Sequence, residues 1–156
     1  MVICLWFDGQ AEDAANFYTS LLPDSRVDRV TRAPGDYAAG KEGDVLTVEF
    51  TLAGRQYLGL NGGSQVTFNM GVSLQIMVDD QADLERLSDA LSAEPDAEMC
   101  SWVRDRYGLS WQIVPRRMSE LLADPDRAKA KRVFEAMQTM RRIDIAAIER
   151  AAAGAS

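Results

Sequence analysis

Apolar positions along the chain change period several times, and each change marks an element. Residues 2–7 form a short apolar run rich in strand formers, and residues 10–22 then switch to helical spacing, with Ala11, Ala14 or Ala15, Tyr18 and Leu21 on one face. Pro23-Asp24 closes that helix. Residues 26–31 alternate weakly through Val27 and Val30, and 33–43, with a proline and three glycines, reads as a loop. Two strands, Val45–Leu52 and 56–60, flank Ala53-Gly54-Arg55, whose glycine suits a tight hairpin. The first sixty residues thus spell strand, helix, strand, strand, strand.

Beyond the turn cluster Asn61-Gly62-Gly63-Ser64 the pattern starts again. Residues 71–78 are a second apolar strand, followed by a helix with Leu84, Leu87 and Leu91 in register and Asp80 as its N-cap. Residues 98–104 and 110–115 read as strands around the turn Asp105-Arg106-Tyr107-Gly108, with a weakly signalled strand at 93–97. Phe7-Asp8-Gly9-Gln10-Ala11-Glu12 and Val78-Asp79-Asp80-Gln81-Ala82-Asp83 match at the handover from first strand to helix, which suggests an internal duplication. The last forty residues are helical. Asp124-Pro125-Asp126 predicts a helix start with a capping side chain followed by proline at the first helical position, Val133, Met137 and Met140 form an apolar stripe with Phe134 beside it, and a further helix begins near Asp144 with Ile145 and Ile148 apolar. These helices are expected to pack onto the sheet or onto a partner subunit.

Composition narrows the function classes. A chain of 156 residues, 47% hydrophobic and 26% charged, is long enough for one real core. Its formal charge of −7 opposes binding to nucleic acid or to an anionic membrane. The basic residues Arg116, Arg117, Arg127, Lys129, Lys131 and Arg132 read as a solvated helical face. No apolar run is long enough to span a membrane, and the first residues lack the basic start of a signal peptide, so the expected location is cytoplasmic.

The absence of histidine removes the commonest metal ligand and the commonest general base, and two cysteines, Cys4 and Cys100, make no disulfide framework. Activation of Cys100 would fall to Arg104 or Arg106, and a buried structural thiol is the better reading; Cys4, in an apolar strand, reads as inert. Asp8, Glu12, Asp79 and Asp83 sit at helix starts, where carboxylates are stabilised by free N–H groups. Glu49 is the one acid retained as a cleft group.

Three stretches carry a resemblance: Cys4-Leu-Trp-Phe-Asp-Gly-Gln-Ala-Glu, Asn16-Phe-Tyr-Thr-Ser-Leu-Leu-Pro-Asp-Ser, and Cys100-Ser-Trp-Val-Arg-Asp-Arg-Tyr-Gly-Leu-Ser-Trp-Gln-Ile-Val-Pro. The chain resembles the PhnB-like branch of the glyoxalase, bleomycin-resistance and extradiol-dioxygenase superfamily, a branch that carries a 3-demethylubiquinone methyltransferase label. The likeness is read through Arg142-Ile-Asp-Ile-Ala-Ala-Ile-Glu.

The resemblance implies an α+β fold of two βαβββ modules, residues 1–62 and 70–116, whose mixed sheet curls around a cleft, followed by a helical extension over 117–156. It also implies a homodimer. Metal ligands in metal-dependent members would fall here at Ile3 or Cys4, near 58–61, at Ser73 and at Gln112, and none of these is a carboxylate or an imidazole. No metal and no cofactor are therefore expected. The methyltransferase label lacks the glycine-rich strand-to-helix turn that S-adenosylmethionine enzymes of the common class use. The expected cleft residues are Trp6, Tyr57, Asn61, Phe68, Ser73, Gln75, Trp102, Trp111 and Gln112. The leading expectation is a protein that binds a small organic ligand; the alternatives are an enzyme acting on a vicinal-dioxygen or quinone-like substrate, with Gln112, Ser73 or Cys100 as its polar groups, and a dimeric scaffold with a vestigial site.

Overall fold

A computed structural model, which describes residues 1–154, separates the chain into two units, Met1–Phe68 and Asn69–Ser156. In the first, β1 (Ile3–Phe7) hands over to α1 (Ala11–Leu21), and β2 (Arg26–Arg32), β3 (Val45–Leu52) and β4 (Arg55–Asn61) follow. The four strands form one sheet in the order β1-β4-β3-β2, with β1 parallel to β4 and the other pairs antiparallel. The β3–β4 hairpin closes on Ala53 and Gly54, both at positive φ, as a two-residue loop with matching strand twist requires.

The small residues of α1 explain how closely it lies on this sheet. Ala11, Ala14, Ala15 and Tyr18 are fully buried, and a Cβ at Gly59 on β4 would sit 3.2 Å from the Ala11 methyl. Tyr18, Phe50 and Tyr57 continue the core, the last two stacked at 5.5 Å between ring centroids. Each large side chain removed from water in this way stabilises the fold by about 2 kcal/mol.

The second unit repeats the plan with one strand fewer among the described residues. β5 (Ser73–Val78) hands over to α2 (Gln81–Leu91), and β6 (Trp102–Arg104) and β7 (Ser110–Pro115) complete a three-stranded sheet in the order β5-β7-β6. β5 is parallel to β7, as β1 is to β4, and β6 is antiparallel. The matched segments at 7–12 and 78–83 occupy equivalent handovers. Leu84, Leu87 and Leu91 of α2 are buried on the sheet face that carries Val103, Trp111 and Ile113.

Two expectations are corrected here. Residues 93–97 hold a 3-10 turn, Pro95–Ala97, and not a strand. The strand expected over 98–104 is short because Cys100 and Ser101, at φ of 50° and 59°, make a tight turn in which Met99 and Trp102 exchange backbone hydrogen bonds.

Three helices end the chain: α3 (Arg116–Leu122), α4 (Arg127–Met137) and α5 (Ile145–Ala153). The expected start of α4 is also corrected: its cap is Asp126, whose side chain accepts from the Ala128 and Lys129 N–H groups, so Pro125 lies outside the helix and not at its first position. α5 begins next to Asp144, whose side chain caps it by accepting from the Ala147 N–H. At the other end of α5, Arg132 donates to the carbonyls of Ala151 and Ala152, placing a cation where the helix dipole favours one.

The segment between α4 and α5 is stitched to the second unit. Cys100 and Ser101 donate their N–H groups to the carbonyls of Met140 and Arg141. Ser101 Oγ accepts from the Ile143 N–H at 2.8 Å, and the Gln81 amide bonds the Ile143 carbonyl and the Ile145 N–H. Arg142 pairs with Glu85, Asp89 and Glu98, and the Glu98 side chain is wholly buried. Among the described residues no helix is long and apolar enough to cross a membrane.

Candidate functional site

Strand alternation sorts the candidate residues by sheet face. In the second unit, Leu74, Trp111 and Val103 turn toward α2, and their neighbours Ser73, Gln75, Gln112 and Trp102 turn away from it. The register places Gln75 beside Gln112 and Gln112 beside Trp102. Gln112 Nε2 donates to Ser73 Oγ at 2.8 Å, and Gln75 Nε2 donates to Gln112 Oε1 at 3.3 Å. Three neutral polar side chains thus form one directional chain, with an indole at its flank. Gln75 is exposed, and Ser73, Trp102 and Gln112 are half-buried. A recess of about 190 Å³ adjoins Trp102 and is lined also by Met70, Glu94, Arg104 and Ser110. Arg104 bonds both carboxylate oxygens of Glu94, which neutralises its charge.

The corresponding face of the first unit carries Cys4, Trp6, Leu58, Leu60, Thr47 and Glu49. Trp6 is fixed there: its Nε1 donates to the Gly63 carbonyl at 2.7 Å. Its ring lies so close over Gly62 that an added Cβ would come within 2.2 Å of it. Only glycine fits beneath that indole. Glu49 is paired with Arg29 across the β2–β3 ladder. A recess of about 200 Å³ lies beside it, with Val2, Asp28, Gln56 and Leu58 in its wall. Cys4 is exposed at the surface, yet enough apolar cover remains to push its thiol up.

The other four candidates lie elsewhere. Tyr57 is stacked on Phe50 on the helix side of the first sheet, and burial raises its phenol. Phe68 packs edge-on against Phe7 at 5.4 Å. Asn61 is buried, accepting from the Ala11 N–H at 2.9 Å and donating to the Val45 carbonyl at 2.8 Å. Trp111 is 1% exposed, with its indole N–H on Asp105. The structure therefore brings Ser73, Gln75, Trp102 and Gln112 together on one face, holds Trp6 on the outer face of the first sheet, and gives Tyr57, Asn61, Phe68 and Trp111 partners in packing. Asp105 was not among the candidates, although its carboxylate organises the most specific motif in the chain. The signal for it was the spacing Asp-x-x-Gly-x-x-Trp around a hairpin.

The donor chemistry can be tested against the metal that the fold class implies. Cys4 lies beside Leu58, the Asn61 amide is spent on Ala11 and Val45, and Ser73 and Gln112 bond each other. Among the described residues no group of three or more His, Cys, Asp or Glu is placed to hold an ion. A thiol, an alcohol, an amide and leucines do not fit a hard divalent cation, which wants several anionic or imidazole donors. S-adenosylmethionine fares no better, since the first strand-to-helix turn offers Gly9 alone.

Residues 1–114 match the model of the family described as 3-demethylubiquinone-9 3-methyltransferase. Among solved structures, the chain is similar to the PhnB protein from Bacillus cereus, with 28% identity, a TM-score of 0.61, and 74% of this chain and 98% of that one covered. It is also similar in fold to protein PA1353 from Pseudomonas aeruginosa, with 20% identity, a TM-score of 0.56, and 74% and 96% covered. No curated protein matches the chain. Helices α3, α4 and α5 follow the matched stretch, so the likeness read through 142–149 is not part of the family match. On the strength of that match over nearly three quarters of its length, the chain belongs to the 3-demethylubiquinone-9 3-methyltransferase family, in the PhnB-like branch of the vicinal-oxygen-chelate superfamily.

Proposed function

We propose that this protein binds a small organic molecule without a metal ion, and that the face bearing Ser73, Gln75, Trp102 and Gln112 is where it does so. The observation that carries this reading is the hydrogen-bonded chain from Gln75 through Gln112 to Ser73, half exposed and flanked by Trp102. Two of these residues stand at positions where metal-dependent relatives would carry ligands. Here the same positions satisfy one another and leave polar edges for a neutral guest.

The groups on this face favour binding over chemistry. An alcohol, two amides and an indole neither gain nor lose protons near neutral pH, and the nearby Arg104 is paired with Glu94. General acid–base catalysis needs a group whose pKa lies near the working pH. The same reading takes the protein as a homodimer, following its likeness to the family, and as cytoplasmic, following the expectation from its sequence.

The test is metal analysis of protein purified without chelators, followed by thermal-shift titration with divalent ions and with a panel of aromatic and quinone-like compounds. Metal-free protein that ignores divalent ions and is stabilised by an organic compound, recovered unchanged, supports the proposal. Stoichiometric metal, or a large rise in Tm on adding a divalent ion, overturns it.

A further inference from the structure

Resting on that reading of the face, we infer that the ligand is a planar, uncharged ring whose edge carries a cis-amide, that is, a lactam or a closely similar N–H and C=O pair. The inference starts from the hydrogen-bond account of Gln75. One of its two N–H groups bonds Gln112, and among the described residues its second N–H and its Oε1 make no further protein hydrogen bond and are open to solvent or a ligand. Where the bond to Gln112 uses the N–H trans to Oε1, the remaining N–H and Oε1 lie side by side on one edge, a donor next to an acceptor.

The pattern survives reversal of the chain. If the Ser73 hydroxyl donates to Gln112 and Gln112 donates to Gln75, then Gln75 still shows a free N–H and a free oxygen lone pair. Both arrangements of the amides therefore ask for the same partner, one that accepts and donates along a single edge. A carboxylate offers two acceptors and would meet the Gln75 oxygen unfavourably. An ammonium offers only donors, and the nearby carboxylate, Glu94, is held by Arg104.

The space fits a single ring. Gln75 and Trp102 lie on the two strands either side of β7, so their backbones are separated by two strand spacings, about 10 Å. A six-membered ring over Gln112 can meet the Gln75 edge while its face or rim contacts the Trp102 indole. The recess beside Trp102, lined by Met70 and Ala97, gives an apolar place for a substituent.

Three probes separate the parts of this claim: 2-pyridone, 1-methyl-2-pyridone, which lacks the donor, and 2-methoxypyridine, which lacks the amide altogether. Each is titrated into nitrogen-15-labelled wild type and Gln75→Leu, following the side-chain amide signals, with circular dichroism to establish that both proteins are folded. Gln75 is exposed, so the variant should fold. The expected result is binding of 2-pyridone about fivefold tighter than its methylated form, with that preference lost in Gln75→Leu. Equal binding of all three by wild type overturns the lactam assignment and leaves small-molecule binding at this face standing. Failure of all three while other panel compounds stabilise the protein also overturns the assignment alone. Failure of every probe and every panel compound overturns both.

Discussion

The indole N–H of Trp111 donates to Asp105 Oδ2 at 2.7 Å, and both residues are buried. The other oxygen of the same carboxylate accepts from the N–H groups of Tyr107 and Leu109. One aspartate thus holds the β6–β7 turn and anchors the ring that fills the core beneath it. Replacing Asp105 with Ala orphans three donors at once and should cost about 3 kcal/mol in urea unfolding. Trp111→Phe removes only the indole donor and some ring area, and should cost less. Equal costs would mean that the ring and not the carboxylate sets the stability of this hairpin.

Asn61 plays a similar part in the first unit. Helix α1 has no side-chain cap from Gln10, and the amide of Asn61, 50 positions away in sequence, accepts from the Ala11 N–H instead. Asn61→Ala should destabilise the protein by about 2 kcal/mol. Asn61→Asp would keep the acceptor but turn a carboxylate oxygen toward the Val45 carbonyl, so it should recover only part of that loss.

Acid stability should track Glu98. The Arg142 guanidinium holds this carboxyl below the usual carboxylate range, against the opposing effect of burial. With the folded value depressed, the contribution is complete above the unfolded value of about 4.3 and is lost as pH falls through the folded value. The stability gap between wild type and Glu98→Gln should therefore be widest near neutral pH and narrow as pH falls below the unfolded value of about 4.3. Arg142→Met strands the buried carboxylate, with Arg141 at 3.6 Å as a weaker substitute, and should cost about 3 kcal/mol.

Cys100 and Ser101 separate backbone strain from side-chain bonding at neighbouring positions. Both adopt positive φ, which costs a non-glycine residue about 1 kcal/mol. Cys100→Asn, a residue that tolerates this conformation, should raise stability by about 0.5 kcal/mol, since the thiol makes only a weak 3.3 Å bond to the Met137 carbonyl. Ser101→Gly relieves the same strain but removes the acceptor of the Ile143 N–H, and should be destabilising. A loss on Cys100→Asn would point to a role for the thiol beyond this turn.

The order of elements was legible because periodicity switches cleanly at Phe7, Val78 and the Asp80 cap, where local patterning and structure agree. What the patterning could not supply is which face a side chain takes. Trp102 and Trp111 lie nine residues apart across a hairpin, and only the pairing of Trp102 with Gln112 shows that they point to opposite sides. The same limit hid the role of Asn61, whose partner is remote, and left the facing of Tyr57 open: its ring stacks on Phe50 and also borders the recess beside Glu49. The strand expected at 93–97 failed for a local reason: Pro95 has no N–H to give a ladder, and the chain turns there instead.

The segment joining α4 to α5 alters what counts as a minimal folding unit. The family match ends at residue 114, but the carboxylates of Glu85, Asp89 and Glu98, the amide of Gln81 and the N–H groups of Cys100 and Ser101 find their partners between residues 140 and 145. A fragment cut at the family boundary would keep every residue of the proposed ligand face and still expose a buried acid and an unsatisfied turn behind it. Because Ile143 and Ile148 are buried in the second unit, a fragment ending at residue 114 should unfold at lower urea than the full chain.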